Sequence, residues 1–206
     1  MTRIKICGIT NKEDALRAAS LNVDMVGFVF YKQSKRYIES KTVRDIVNEL
    51  PPSIGKVGVF VNEEHSRVLE LAEDSDIDTL QFHGDEKPDY CDSFKDRYKV
   101  IKAFRLKTKK DLKNINDYDV DFYMLDTYMP GLAGGTGKSF DWKILEDHEF
   151  LKPVIISGGL TPVNVRKAIR EMAPYGVDVS SGVEARPGKK EYDLMKKFVE
   201  NVRKAE

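Results

Sequence analysis

Short apolar runs recur along this chain, separated by stretches that mix charged and apolar residues. The runs read RIKICG, DMVGFVF, KVGVFV, TLQFHG, YKVIKAF, FYMLD, PVIISGG and GVDVSSG. Most are apolar without strict alternation, which predicts parallel strands covered on both faces. The stretches between them carry helical spacing. Val43, Ile46, Val47 and Leu50 fall at i, i+3, i+4 and i+7, as do Val165, Ala168, Ile169 and Met172. Met195, Phe198, Val199 and Val202 repeat the pattern near the end of the chain. Thr10 with Glu13 predicts a capping box, and Thr161-Pro162 predicts an N-cap followed by proline at the first helical position.

Eight such strand–helix units in 206 residues leave about 25 residues each, close to the minimum for right-handed crossovers. That count predicts an α/β fold, a closed (β/α)8 TIM barrel, as a single domain over residues 1–206. The alternative is an open doubly wound sheet. Its dinucleotide fingerprint would follow the first strand, and CGITNKED lacks the GxGxxG spacing.

Charge narrows the function classes. Lys plus Arg and Asp plus Glu are equal at 34 each. No basic excess points to nucleic acid, and no cationic stripe points to a membrane surface. No window approaches a membrane-spanning run, and MTRIKICGITNKED has no secretory core. A cytoplasmic protein is expected. Cys7 and Cys91 are far apart and make no zinc spacing with His65, His83 or His148, so reduced thiols and no metal are expected.

The stretch GLAGGTGKSF, from Gly131, ends like a nucleotide-binding phosphate loop. The motif needs a glycine where Leu132 stands. Leucine resists the positive φ that such turns use, and Pro130 removes a donor ahead of the loop. ATP binding is therefore not expected of it.

In a barrel of this kind the active site lies at the C-terminal ends of the strands. Those ends carry Cys7, Asn62, His83, Asp126, Ser157-Gly158-Gly159 and Ser180-Ser181-Gly182. Loops after the seventh and eighth strands commonly hold a phosphate, and glycine lets backbone N–H groups approach an anion. The alternative is that these glycines only make tight turns. Asp126 at a strand tip suits a general acid or base, or a loop hydrogen bond. Cys7 reads first as a buried structural thiol, with a reactive one as the alternative. Cys91 reads as packing only. Arg36 has the fork that clamps a carboxylate, or lies on a solvated loop. His83 is a proton carrier or a hydrogen-bonding tip residue.

Together these motifs resemble one family, phosphoribosylanthranilate isomerase. The matching stretches are KICGIT at 5–10, GFVFY with SKRYI at 27–38, VGVFVN at 57–62 and LQFHG at 80–84. LDT at 125–127, GGTGKSFDW at 134–142, SGGLTPVNV at 157–165 and VDVSSGVEARPGKK at 177–190 follow in order through nearly the whole chain. The resemblance implies the eight-stranded barrel and an Amadori rearrangement in tryptophan biosynthesis. N-(5′-phosphoribosyl)anthranilate becomes 1-(2-carboxyphenylamino)-1-deoxyribulose 5-phosphate. It further implies Cys7 as general base, Asp126 as general acid and Arg36 as partner of the anthranilate carboxylate. Asp178 and His83 are implied as substrate contacts, Asp178 near the ribose hydroxyls. Gly158, Gly159, Ser180, Ser181 and Gly182 would hold the phosphate. GLAGGTGKSF becomes a lid over the substrate, with Phe140-Asp141-Trp142 re-entering a helix.

This chemistry transfers protons and needs no redox cofactor, so none is expected. Free cysteine titrates near ~8.5 and free aspartate near ~3.9, so a base requires the thiol lowered and an acid requires the carboxyl raised. The expected partner is a small phosphorylated substrate, with a homodimer possible. Two rivals stand. One is the aminoaldose isomerase of histidine biosynthesis, expected to carry an aspartate where Cys7 stands. The other is a barrel that binds a phosphorylated ligand without turnover.

Overall fold

The computed structural model describes residues 1–126, 145 and 148–205. Each of the eight apolar runs forms a strand: β1 (Arg3–Cys7), β2 (Met25–Val29), β3 (Gly55–Phe60), β4 (Thr79–Phe82), β5 (Lys99–Arg105), β6 (Phe122–Asp126), β7 (Val154–Ser157) and β8 (Gly176–Val179). They pair in sequence order into a closed parallel barrel, and β1 completes the ring by pairing with β8 from Arg3↔Gly176 to Ile6↔Val179. The fold expectation holds, and the open-sheet alternative does not.

Period two sorts each strand into two faces. On β1, Ile4 and Ile6 are fully buried in the large outer core between barrel and helices. Burying one such side chain contributes about 1.5–3 kcal/mol. Val57, Ile101, Ala103, Met124 and Ile155 form a separate inner cluster, with Met25 and Phe122 packed against it. The barrel is therefore filled, and chemistry is confined to its mouth. Helices α1 (Lys12–Ser20), α2 (Ser40–Val47), α3 (His65–Ser75), α4 (Pro88–Asp92), α5 (Val165–Met172) and α6 (Tyr192–Arg203) ring the outside. The expected apolar stripes are the buried ones: Val43, Ile46 and Val47 on α2, Val165, Ala168 and Ile169 on α5, and Met195, Phe198, Val199 and Val202 on α6. No helix among the described residues is long and apolar enough to cross a membrane.

Local details depart from expectation in four places. α1 is capped by Asn11, whose side chain accepts the Asp14 N–H at 2.9 Å. Thr10 instead donates its hydroxyl to the Gly188 carbonyl, and Glu13 pairs with Arg17 and Lys189. The capping box is thus replaced by a cap one residue later, because a tertiary partner claims the threonine. At the start of α5, the Thr161 hydroxyl does accept the Val163 and Asn164 N–H groups, and its carbonyl accepts that of Val165. Regular helix begins only at Val165. Between β5 and β6 there are two 3-10 turns, Lys109–Leu112 and Ile115–Asp117, in place of an α-helix. Asn114, Asn116, Asp117 and Asp119 crowd that segment, and such side chains compete for backbone hydrogen bonds. After β8 the chain also forms an unexpected hairpin, β9 (Glu184–Arg186) with β10 (Lys189–Lys190), turned by Pro187 and by Gly188 at φ +81°. The stretch 131–140 and the helix expected at Phe140 lie outside the described residues, and so does the lid expectation.

Candidate active site

Strand β1 delivers two polar side chains to the barrel interior. Lys5 and Cys7 share a face, and Cys7 joins Val29 and Val59 in a small apolar cluster at the mouth, with Tyr31 packed on it. Gly27 is the register partner of Cys7 on β2. A Cβ at Gly27 would lie 2.8 Å from Cys7 Sγ and 3.0 Å from Lys5 Nζ. Sulfur and ammonium therefore close over one missing side chain, and the ammonium pulls the thiol down. Lys5 also donates to Asp178 Oδ1 at 2.8 Å, and the Ser157 hydroxyl donates to Asp178 Oδ2 at 2.9 Å.

Burial pushes the Cys7 thiol up, and the Asp178 carboxylate adds to that. Lys5 and Lys190 pull the other way without prevailing. The lowering that a resting thiolate would require is therefore absent: desolvation of the buried sulfur outweighs its cations. Burial likewise works against the Lys5 ammonium, but Asp178 and Cys7 outweigh it, and its net shift is upward.

Across the mouth, β6 ends at Asp126. Phe122 and Met124 belong with the inner cluster, so alternation turns Asp126 inward as well. His83, just past β4, approaches with Nε2 at 3.0 Å from Asp126 Oδ2, and its Nδ1 lies 3.0 Å from the Gln81 amide nitrogen. An amide nitrogen donates, so with the amide assigned this way Nδ1 accepts and Nε2 carries the proton given to Asp126. Asp126 sits opposite Ser157 in the β6–β7 register. A chain of neighbours thus runs around the rim from Asp126 through Ser157, Asp178 and Lys5 to Cys7.

Arg36 arrives on the loop after β2. Gly8, at φ +74°, makes room for it: a Cβ there would meet Arg36 Cδ at 2.5 Å. The guanidinium is not solvated. Its Nε and Nη2 donate to Glu184 at 2.7 and 2.6 Å, a bidentate pair. Glu184 also accepts from Lys190 Nζ at 2.9 Å, which donates in turn to the Ser180 carbonyl at 3.1 Å. Burial would raise the Glu184 carboxyl, yet Arg36 and Lys190 hold it below its ordinary value. A guanidinium has five N–H donors, and Glu184 uses two. Among the described residues nothing takes the Nη1 edge, which can serve a second carboxylate.

The glycine loops after β7 and β8 come together. Gly158 and Gly159 have φ of +90° and +66°. A Cβ on Gly159 would meet nothing within 4 Å, so its backbone borders open space. Gly182 packs directly on the neighbouring loop: a Cβ there would lie 1.9 Å from the Leu160 carbonyl oxygen. Ser181 is exposed, and Ser180 and Gly182 are half-buried. Asn62 lies elsewhere, bracing the Asp85 N–H at 2.7 Å. Cys91 is buried in α4, its thiol pushed up to about 12 by desolvation, as a packing residue should be.

Sequence reasoning missed Lys5, Gln81, Glu184 and Lys190. Lys5 had a signal, a charge two residues before Cys7 in an otherwise apolar strand. Gln81 had the same spacing to His83.

The family model described as N-(5′-phosphoribosyl)anthranilate isomerase matches residues 4–201. The chain belongs to this family. The N-(5′-phosphoribosyl)anthranilate isomerase of Trichlorobacter lovleyi is 45% identical over 210 residues, with 100% of each chain covered. The crystal structure of the phosphoribosylanthranilate isomerase from Thermotoga maritima superposes with a TM-score of 0.91 at 44% identity, covering 99% of this chain and 100% of that one. A phosphoribosylanthranilate isomerase in complex with reduced 1-(o-carboxyphenylamino)-1-deoxyribulose 5-phosphate superposes at 0.86 and 41% identity, with 99% and 100% covered.

Proposed function

We propose that this chain isomerises N-(5′-phosphoribosyl)anthranilate to 1-(2-carboxyphenylamino)-1-deoxyribulose 5-phosphate by general acid–base catalysis. Asp126 as a carboxylic acid protonates the ring oxygen of the aminoaldose. The ring opens to a protonated imine. Cys7 as a thiolate takes the proton from C2, leaving an enolamine that tautomerises to the ketone. A thiol with a raised pKa is ionised rarely but is a stronger base when it is, a trade that general-base catalysis tolerates.

The observation that carries this reading is the arrangement around the mouth. An acid candidate at the end of β6 and a thiol at the end of β1 stand on one rim, linked through β7 and β8, with a preset guanidinium beside the thiol. The apolar surface of Val29, Val59 and Tyr31 suits an anthranilate ring. The Nη1 edge of Arg36, which Glu184 does not use, suits its carboxylate, and the backbone at Gly159, which borders open space, suits the phosphate at the far end. Asp178 borders the same space and retains lone pairs for a ribose hydroxyl.

The test is isomerase turnover of the purified protein on N-(5′-phosphoribosyl)anthranilate, with Cys7→Ala and Asp126→Ala alongside. Turnover abolished by both substitutions is expected. Turnover on the histidine-pathway aminoaldose alone, or binding without turnover, would overturn the proposal in favour of one of its rivals.

A further inference from the structure

Lys5 is a cation for which the steps above have no use. It is fully buried on the inward face of β1, and its ion pair with Asp178 spans 2.8 Å. Isolated ion pairs of this kind seldom improve stability, because well-packed apolar residues of similar volume do as well or better. Stability alone therefore does not account for placing an ammonium there. Its other partner is the sulfur. Gly27 clears the space in which Nζ and Sγ meet, and Ser157 braces Asp178 from the far side.

We propose that Lys5 is a positioning residue for the base: its ammonium, anchored by Asp178, lies against Cys7 and favours the thiolate. The proposal rests on the reading of Cys7 as the group that takes the C2 proton. Four charged groups act on the sulfur. Lys5 comes from its own strand, Asp178 from β8, Lys190 from β10 and Arg36 from the loop after β2. His83 and Asp126 occupy the opposite side of the mouth. Lys190 and Arg36 share one carboxylate, Glu184, whereas Lys5 faces the sulfur across the gap left by Gly27. Lys5 is thus the cation with the largest pull on Cys7, and Asp178 is the opposing charge that keeps it in register.

Opposite outcomes at the two positions separate this role from a structural one. Iodoacetamide alkylation of the full-length protein, followed across pH on the Cys7 peptide by mass spectrometry, reads the thiolate directly. Lys5→Met is expected to slow Cys7 alkylation at pH 8 by about tenfold or more, each tenfold being one pKa unit. Lys5→Arg is expected to restore most of the rate. Asp178→Asn, which removes the negative charge and keeps the cation, is expected to accelerate it. A Lys5→Met profile that superposes on the wild type, or an Asp178→Asn shift in the same direction as Lys5→Met, overturns the proposal. If Lys5→Met does not fold, Asp178→Asn decides: acceleration supports the proposal, and an unchanged or slower rate overturns it. Wild-type protein that turns over substrate but shows unshifted variants defeats Lys5 alone. Wild-type protein without turnover defeats the functional reading and leaves the alkylation result to be judged on its own.

Discussion

Replacing Lys102 with methionine should destabilise the protein severely, and the structure says why. Lys102 projects from β5 with its side chain 3% exposed. Its ammonium donates to Glu86 Oε2 and to the Gly84 carbonyl, each at 2.8 Å, and lies 5.8 Å and 5.9 Å from the ring centres of Phe104 and Tyr118. Glu86 is equally enclosed. It accepts the Asn62 N–H at 2.8 Å and the Gly84 N–H at 2.9 Å, so one carboxylate ties the loop after β3 to the loop after β4. Methionine keeps the length of the stem and removes the charge. The Glu86 carboxylate is then left buried with two amides and no counter-charge. Orphaning one member of a buried pair costs about 3–5 kcal/mol. For a chain of this length each kcal/mol shifts Tm by roughly 2–4 °C, so a fall of about 10 °C is expected.

The discriminating measurement is a double-mutant cycle by urea unfolding with Lys102→Met, Glu86→Gln and the pair. If charge is the cause, adding Glu86→Gln to Lys102→Met should recover about 2 kcal/mol, because the orphan disappears while an amide oxygen still accepts from Asn62 and Gly84. Equal losses for the single and the double variant would mean that the damage is lost packing on Phe104 and Tyr118, and the charge argument would fail. A single-variant loss below about 1 kcal/mol would refute the burial argument as well, because it is the size expected of an exposed pair.

Arg36→Lys keeps the charge but loses the fork that holds Glu184 and presents the Nη1 edge. A fall of about 10–100-fold in kcat/KM, carried mainly by KM, is expected, as for losing 1.4–2.8 kcal/mol of oriented binding; an unchanged KM would remove Arg36 from the carboxylate site. Gly182→Ala drives a methyl toward the Leu160 carbonyl, at 1.9 Å if nothing moves. The loops after β7 and β8 must part, at a cost of about 1–3 kcal/mol, and inorganic phosphate should lose potency as a competitive inhibitor; full potency would separate these loops from the anion. Asp14 is pushed up by burial but held below its ordinary value by Lys189, the Lys190 N–H and Asn11. A depressed carboxylate stabilises the fold above its unfolded pKa of ~3.9, and that contribution disappears as pH falls through the folded value. Urea midpoints measured from pH 5 down to pH 2 should therefore fall less steeply for Asp14→Asn than for wild type; parallel curves would refute the assignment.

What the sequence reveals here depends on how local each cause is. The strands were legible because every one is an apolar run, and a strand covered on both faces advertises itself in composition. The stripes of α2, α5 and α6 were legible because one side of each must be dry. Caps were less so: Thr10 and Glu13 satisfy the capping rule, but Gly188 and Lys189, far along the chain, draw their side chains away. The strand tips named the residues at the mouth, since the fold puts chemistry there. They did not name what those residues rest on. Arg36 and Glu184 are 148 positions apart, and Lys5 and Asp178 are 173 apart. Neither pairing leaves any periodic trace. Only barrel closure, β1 against β8, brings the second pair together. Lys5 could have been flagged from alternation alone, as a charge on the Cys7 face of a strand with no solvent side. Its partner could not, because the partner is set by the register at which the ring closes. A charge that a barrel admits to its interior is therefore the kind of residue to question first: the fold's own packing offers no reason for it, and the nearest reactive group does.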